Sequence, residues 1–357
     1  MLPCQENSGS FFEKLQNADG LDLRDNRGKR HDLAVVLVGV TLAVLSNRDG
    51  SLSSIQRHLK NHYEKLVTVL GVEKKQPVSR SQLPLILEKV AFEVFDKLLF
   101  ANFGIKLSET QRKWFAMDGK ELRGSIEKGF KRGEAIVQAV AHENCRVAAQ
   151  DYYAGEKESE VPIVRKLLEK GGLGSQKISL DALHCKPLTL AIINESRGKY
   201  LVGLKDNQKQ LKKQITRAME NQSFLFKIEM QEKSHGRIEV RKYEFYDLLE
   251  MAKDARWKTC QIKTAIKVRR QRVELKSGKN SSEESYYLTN EVEHYEELAQ
   301  AVRQHWRVET NNHIRDVSLK EDRMRSKKRV YKKQWQESEL WQPLSWRKPS
   351  VKTKKPN

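Results

Sequence analysis

Apolar and polar positions change rhythm near residue 109, and the two rhythms predict two kinds of structure. Before that point the spacing is helical. LAVVLVGVTLAVL, from Leu33 to Leu45, is an unbroken apolar run that follows Asp32, a helix N-cap residue type. It is too short to span a bilayer and predicts a buried helix. A second helix is predicted over LSSIQRHLKNHYEKLVTVLG, where Leu52, Ile55, Leu59 and Tyr63 recur at helical spacing behind Ser51 or Ser53. A third is predicted over SRSQLPLILEKVAFEVFDKLLFANFG, stopped by Gly104. Residues 1–108 therefore read as an N-terminal helical domain. Its Arg57, Lys60 and Lys65 are candidates either for DNA phosphate contact or for an ordinary solvated face.

After Lys113 the runs shorten and alternate. KWFAMDGK is an apolar segment closed by Asp118. EAIVQAVAHE and CRVAAQDYYAG predict two strands separated by a turn at residues 142–144. SEVPIVRKLLEKGG predicts a helix with Ser159 as its cap, and QKISLDALH a strand that delivers Asp181. PLTLAIINESRGK predicts a helix and KYLVGLKDNQ a strand. Three strands, helix, strand, helix, strand indicate an α/β fold, a mixed sheet covered by helices. Residues 211–290 read as a strand-rich insertion, with SGKNSSEES as an exposed loop. HYEELAQAVRQHWRVETNNHIRDV then predicts one helix. The catalytic domain is thus expected over 109–325. Residues 326–357 form a basic, poorly patterned C-terminal tail, with little fixed structure expected after Trp346.

Charge changes the picture. A net charge of +20 and a pI near 9.6 call for a polyanionic partner, nucleic acid first and an anionic membrane surface second. The cations are spread along the chain and not gathered on one amphipathic helix, which favours nucleic acid. Four scattered cysteines without a CxxC pair give neither a zinc-finger nor a disulfide framework. No basic-then-apolar leader is visible at the start. A reducing cytoplasm fits, with no membrane and no small-molecule cofactor expected.

Candidate chemistry rests on carboxylates. Asp118 and Asp181 each close an apolar run, where a charge is costly unless it is used. Such strand ends lie at the rim where open α/β sheets place their sites. Glu309 sits in the last predicted helix. The alternative for each is a surface charge or a cap. Brought together, three oxygen ligands suit magnesium or manganese, and two such ions can clamp a phosphodiester. His305, Glu309 and His313 are spaced four apart and would share a helix face, which would also suit zinc. The lack of an HExxH pattern and the two aspartates favour the oxygen-ligand reading. Trp306 reads as a core residue. Lys120 and Arg123 follow Asp118, Lys205 and Asn207 end a strand, and Arg303 and Arg307 flank Glu309. These six are the candidate DNA-backbone contacts, and binding through them would be salt-sensitive.

DGKELRGS, DALHCK, KDNQKQL, SHGRIEVRKY, VRQHWRVET and RDVSLKEDRMR, in that order, resemble the motifs of the H-repeat-associated, ISAs-type DDE transposases of bacterial insertion sequences. The resemblance runs from residue 11 to residue 328. It implies a ribonuclease-H-like core and a magnesium-dependent triad at Asp118, Asp181 and Glu309. It also implies cleavage at DNA element ends and transfer of the freed 3′-hydroxyl to target DNA by an assembly of at least two subunits, such as a homodimer, in the bacterial nucleoid. Thr310 stands where relatives commonly have Asn, and Ile314 where they commonly have Trp. Val302, His305 and Asp316 replace the Tyr, Arg and Lys of the wider group. Beyond Glu321, Asp322 and Arg325, QWQESELWQPLSWRKPSVKTKKPN departs from the family, as a truncated or frame-shifted end would. Two rivals follow: an impaired transposase remnant that only binds DNA, and a metal-dependent nuclease.

Overall fold

The computed structural model describes residues 9–46, 51–108, 110–123, 126, 132–154, 159–234, 236–248 and 255–317. The expectations for residues 318–357, among them Glu321, Asp322, Arg325 and the basic tail, lie outside the described residues. The chain divides into two units. One holds residues 1–105, 122–134 and 312–357, and the other residues 106–121 and 135–311.

The first unit is helical. Its described helices are α1 (Phe11–Gln16), α2 (Leu33–Leu45), α3 (Leu52–Leu70), α4 (Gln82–Glu88) and α5 (Phe92–Phe103). The apolar run becomes α2 with the expected ends, because Asp32 accepts hydrogen bonds from the Ala34 and Val35 amides at 2.8 and 3.3 Å. Such a cap stabilises by about 1 kcal/mol. Helix α3 starts after Ser51 and stops at Gly71, whose φ of 66° is the left-handed conformation glycine adopts freely. Leu37, Ile55, Leu59, Leu83 and Leu99 form the centre of one core. Gly39 lets α2 approach α3 closely, since a Cβ there would stand 2.8 Å from a Leu59 methyl. The single helix predicted over residues 79–104 is two helices. The chain breaks at residues 89–91 because this backbone pairs with residues 21–23, Leu23 N to Lys89 O and Ala91 N to Leu21 O, both at 2.9 Å.

The second unit is built on one mixed sheet of nine strands, in the order β3-β2-β1-β4-β5-β9-β8-β7-β6. Its first five strands are β1 (Trp114–Glu121), β2 (Glu134–Ala141), β3 (Val147–Ala154), β4 (Lys177–Leu180) and β5 (Lys199–Leu204). β1 runs antiparallel to β2 and parallel to β4, and β4 runs parallel to β5. Helices α6 (Glu160–Lys170) and α7 (Pro187–Glu195) make the crossovers. This is the ribonuclease-H-like arrangement that the resemblance implies.

Residues 211–290 differ from expectation in three ways. The stretch opens inside a helix, α8 (Lys209–Glu220). Its strands, β6 (Phe226–Ser234), β7 (Arg237–Asp247), β8 (Thr264–Glu274) and β9 (Asn280–Thr289), extend the core sheet, because β9 pairs antiparallel with β5. SGKNSSEES is not all loop, since β9 starts at Asn280. Its polar residues conceal a strand held by the β8 ladder and by cross-strand pairs of Arg269 with Glu284 and Arg270 with Glu283. The last predicted helix is also two, α9 (Tyr295–Gln304) and α10 (Arg307–Val317).

Candidate active site

The parallel pairing of β1 with β4 ends at Met117 and Leu180. Asp118 and Asp181 are the next residue on each strand, so two distant sequence positions become neighbours at the end of one ladder. Asp118 is not itself a strand end: β1 continues to Glu121 because β2 still pairs with it. Asp181 begins a short 3-10 turn and accepts from the Leu183 amide at 2.9 Å. Its side chain is 48% exposed, so it remains accessible as a ligand.

Glu309 comes from the first turn of α10. Two anchors bring α9 and α10 to the sheet. Glu297 on α9 accepts from Trp114 Nε1 at 2.7 Å and pairs with Lys177 at 2.5 Å, gripping β1 and β4 together. Buried Asn311 on α10 donates to Gln138 of β2 at 3.3 Å. Asp118, Asp181 and Glu309 consequently line one cleft of about 610 Å³. Among the described residues, no three acidic, histidine or cysteine side chains close into a ready-made metal-ligand cluster. The three carboxylates share a cleft without converging on a point.

Burial first, then repulsion from Glu160, Asp181 and Glu309, pushes the Asp118 carboxyl up to about 7, against a lowering by the Gly119 amide. A crowd of carboxylates is the environment that a divalent cation relieves. The three acids therefore suit a hard divalent cation in kind.

Glu160 was not singled out by the sequence. It is the first residue of α6, and its Oε1 lies 2.7 Å from Nε2 of fully buried His184. A Cβ at Gly119 would collide with its carboxylate, which explains the glycine after Asp118. Only that glycine hinted at a close neighbour.

Histidines meet beneath the cleft in a way that sequence spacing did not suggest. Ser179 Oγ lies 2.9 Å from both His142 Nε2 and His305 Nδ1. Burial holds His142 down to about 3 and His305 to about 4, so both rings are neutral at pH 7. His305 precedes α10, so the even spacing His305, Glu309, His313 is not one helix face. With Nδ1 engaged by Ser179, His305 is committed to the sheet.

The six cationic and amide candidates divide. Lys205 is exposed and lines the cleft. Asn207 donates to Ala182 O at 2.6 Å and so braces the turn that carries Asp181. Lys120 is buried in β1, which corrects its reading as a surface contact. Arg123 is exposed in the helical unit. Arg303 lines the cleft while paired with Glu232 at 3.1 Å. Arg307 donates to Glu143 O at 3.1 Å, so the β2–β3 turn takes it away from the cleft. Trp306 is 52% exposed and lines the cleft, where a core position was expected, because the break between α9 and α10 turns it outward. Lys212 of α8 lines the cleft too, and four arginines there, Arg237, Arg241, Arg270 and Arg272, come from β7 and β8. Their alternation reads as a solvated strand face until the sheet topology places it beside the carboxylates.

No helix among the described residues is long and apolar enough to cross a membrane. Residues 109–335 match the family described as Transposase DDE domain. "Putative transposase YncI" of Escherichia coli O157:H7 is 26% identical over 317 residues, covering 85% of this chain and 79% of that protein. "H repeat-associated putative transposase YhhI" of Escherichia coli K12 is 26% identical over 314 residues, covering 84% and 81%. A Xanthobacter autotrophicus protein, uncharacterized and encoded in the dhlA 3′ region, is 27% identical over 299 residues, covering 81% and 95%. The match spans well over half of the 357 residues and contains the whole carboxylate cleft: the chain belongs to the DDE-domain transposases.

Proposed function

We propose that this transposase cuts DNA at the ends of its insertion sequence and joins them to target DNA, using Asp118, Asp181 and Glu309 as ligands for two magnesium or manganese ions. The observation that carries the reading is the raised Asp118 carboxyl in a cleft shared with the other two acids and rimmed by arginines. In cleavage a water oxygen bonds to phosphorus and the P–O3′ bond breaks, leaving a 3′-hydroxyl. In transfer that hydroxyl attacks a target phosphodiester, whose own 3′-oxygen leaves. Bound divalent ions supply the charge that activates the attacking oxygen and stabilises the leaving one. The chain's own part is positioning. Asp118 presents its carboxylate from within β1, Asp181 from the residue just past β4, and Glu309 from α10. Lys205, Arg270 and Arg272 neutralise the phosphates along the cleft.

The same reading takes residues 1–108 as the associated helical domain, 109–325 as the catalytic domain and 326–357 as a basic tail. The protein acts on nucleoid DNA in the cytoplasm as at least a dimer, so that two element ends can be held together.

The test is incubation of the protein with magnesium and DNA carrying the element ends. Asp118→Ala, Asp181→Ala and Glu309→Ala are expected to fold and bind DNA but to leave it uncut. Cleavage unchanged in the two aspartate variants rules the triad out. Sequencing the products separates the rivals: joined target molecules mean transposition, hydrolysed ends alone a nuclease, and binding without any cut a remnant.

A further inference from the structure

Outside the proposed triad, Glu160 is the acid that lies against the glycine following Asp118. A glutamate at the first position of a helix is commonly there for the helix dipole. Here the side chain is turned elsewhere. Its Oε1 meets His184, and its carboxylate fills the space where Gly119 lacks a Cβ, next to Asp118. Among the described residues no lysine or arginine pairs with it. The side chain is 16% exposed.

His184 connects this glutamate to the proposed site. It belongs to the 3-10 turn that Asp181 begins, and its ring is completely buried. Its Nε2 lies 2.7 Å from Glu160 and 3.9 Å from Asp181. One imidazole N–H thus fixes Glu160 against the turn that carries a triad aspartate. The second oxygen lies against Gly119, the residue after Asp118 on β1, and the glutamate's charge is among those that raise the Asp118 carboxyl.

We infer that Glu160 is a fourth carboxylate of the metal-binding site, supplied by α6 from the Gly119 side of Asp118, and that His184 is the residue positioning it. The inference rests on the metal-dependent reading under Proposed function and adds a ligand to it. Four carboxylates in place of three give the site enough oxygens to hold two divalent ions before DNA contributes a phosphate. The divalent ion is the ligand class, and the site is expected to take magnesium and manganese alike.

The experiment is a calorimetric titration of the full chain, freed of metal with EDTA and dialysed at pH 8, with magnesium chloride and then manganese chloride. The wild type is expected to bind saturably. Glu160→Gln is expected to weaken binding about tenfold or more, while its metal-free melting temperature stays level or rises, because one charge beside Asp118 is gone. Glu160→Asp keeps the charge at the helix start but withdraws it by one methylene, and is expected to lose affinity as well. His184→Phe, which fills the pocket without a donor, is expected to share the loss. A Glu160→Gln protein with wild-type affinity and a lower melting temperature overturns the inference and makes the glutamate a structural residue. Wild-type affinity in Glu160→Asp overturns it equally, and wild-type affinity in His184→Phe removes the histidine's part. Affinity unchanged in Asp118→Asn, or no saturable binding to the wild type, instead overturns the reading on which the inference stands.

Discussion

Replacing Asp118 by Asn is expected to stabilise the metal-free protein, against the usual effect of altering a partly buried polar group. The carboxyl is pushed from 3.8 to about 7 in the fold. Between those values the native state retains a proton that the unfolded chain releases. The stability that this one group contributes is therefore fully present below about pH 4 and is lost as pH rises through 7. Three pH units at about 1.4 kcal/mol each give a ceiling of about 4 kcal/mol. Asp118 is only half-buried, so solvent screening reduces this to about 2–4 kcal/mol. Asn keeps the shape and removes the charge. Urea unfolding in EDTA is expected to show Asp118→Asn more stable than wild type by that amount at pH 8, with the gap closing by pH 4. Saturating magnesium is expected to shrink the pH 8 gap, because only the wild type gains binding free energy. A gap that is absent at pH 8, or that does not change between pH 8 and pH 4, refutes the claim that carboxylate crowding is what burdens this position.

Other outcomes follow from the same geometry. Burial depresses His142 from 6.5 to about 3, so native stability is lost as pH falls through that interval. His142→Gln, which can still reach Ser179, is expected to flatten the acid limb of a denaturation profile by up to about 1.4 kcal/mol per pH unit. Asn207→Leu removes the 2.6 Å bond to Ala182 O. It is expected to cost about 1 kcal/mol and to slow magnesium-dependent cleavage, measured by unfolding and by a gel assay, because the turn carrying Asp181 is loosened. Fluorescence anisotropy at several salt concentrations is expected to give Arg270→Gln, Arg272→Gln protein a shallower log–log slope, by about 0.9 for each phosphate no longer neutralised. An unchanged slope places the DNA elsewhere.

Legibility followed the range of the forces involved. Helix α2 was readable to the residue because its apolar run and the Asp32 cap are local. The order of strands and helices from β1 to β5 was readable too, since each is one short apolar run with its own punctuation. The breaks at residues 89–91 and 305–306 were not, because the first depends on backbone bonds to residues nearly seventy positions away. Strand β9 was hidden in its first part, residues 280–285, by its polar composition. What makes it a strand is a ladder to β8 and β5, neither of which its own side chains announce. In the candidate site, Asp118, Asp181 and Glu309 were identifiable as acids in telling positions. Lys120 and Arg307 misled because adjacency in sequence does not say which side of a strand or helix faces the cleft. Glu160 escaped notice because α6 had no mark of chemistry, and its importance arises only when Gly119 makes room for it.

The joining of β9 to β5 has a consequence for anyone wishing to trim this protein. The segment from β6 to β9 resembles an accessory that could be excised with a short linker, but its last strand seals the border of the core. Removing it would strip the amide and carbonyl groups of residues 201–204 of their partners and leave a bare template for association with another chain. A shortened protein is therefore expected to be sticky before it is inactive, and a smaller version would need a substitute strand, or charged and proline substitutions along that border, to remain in solution.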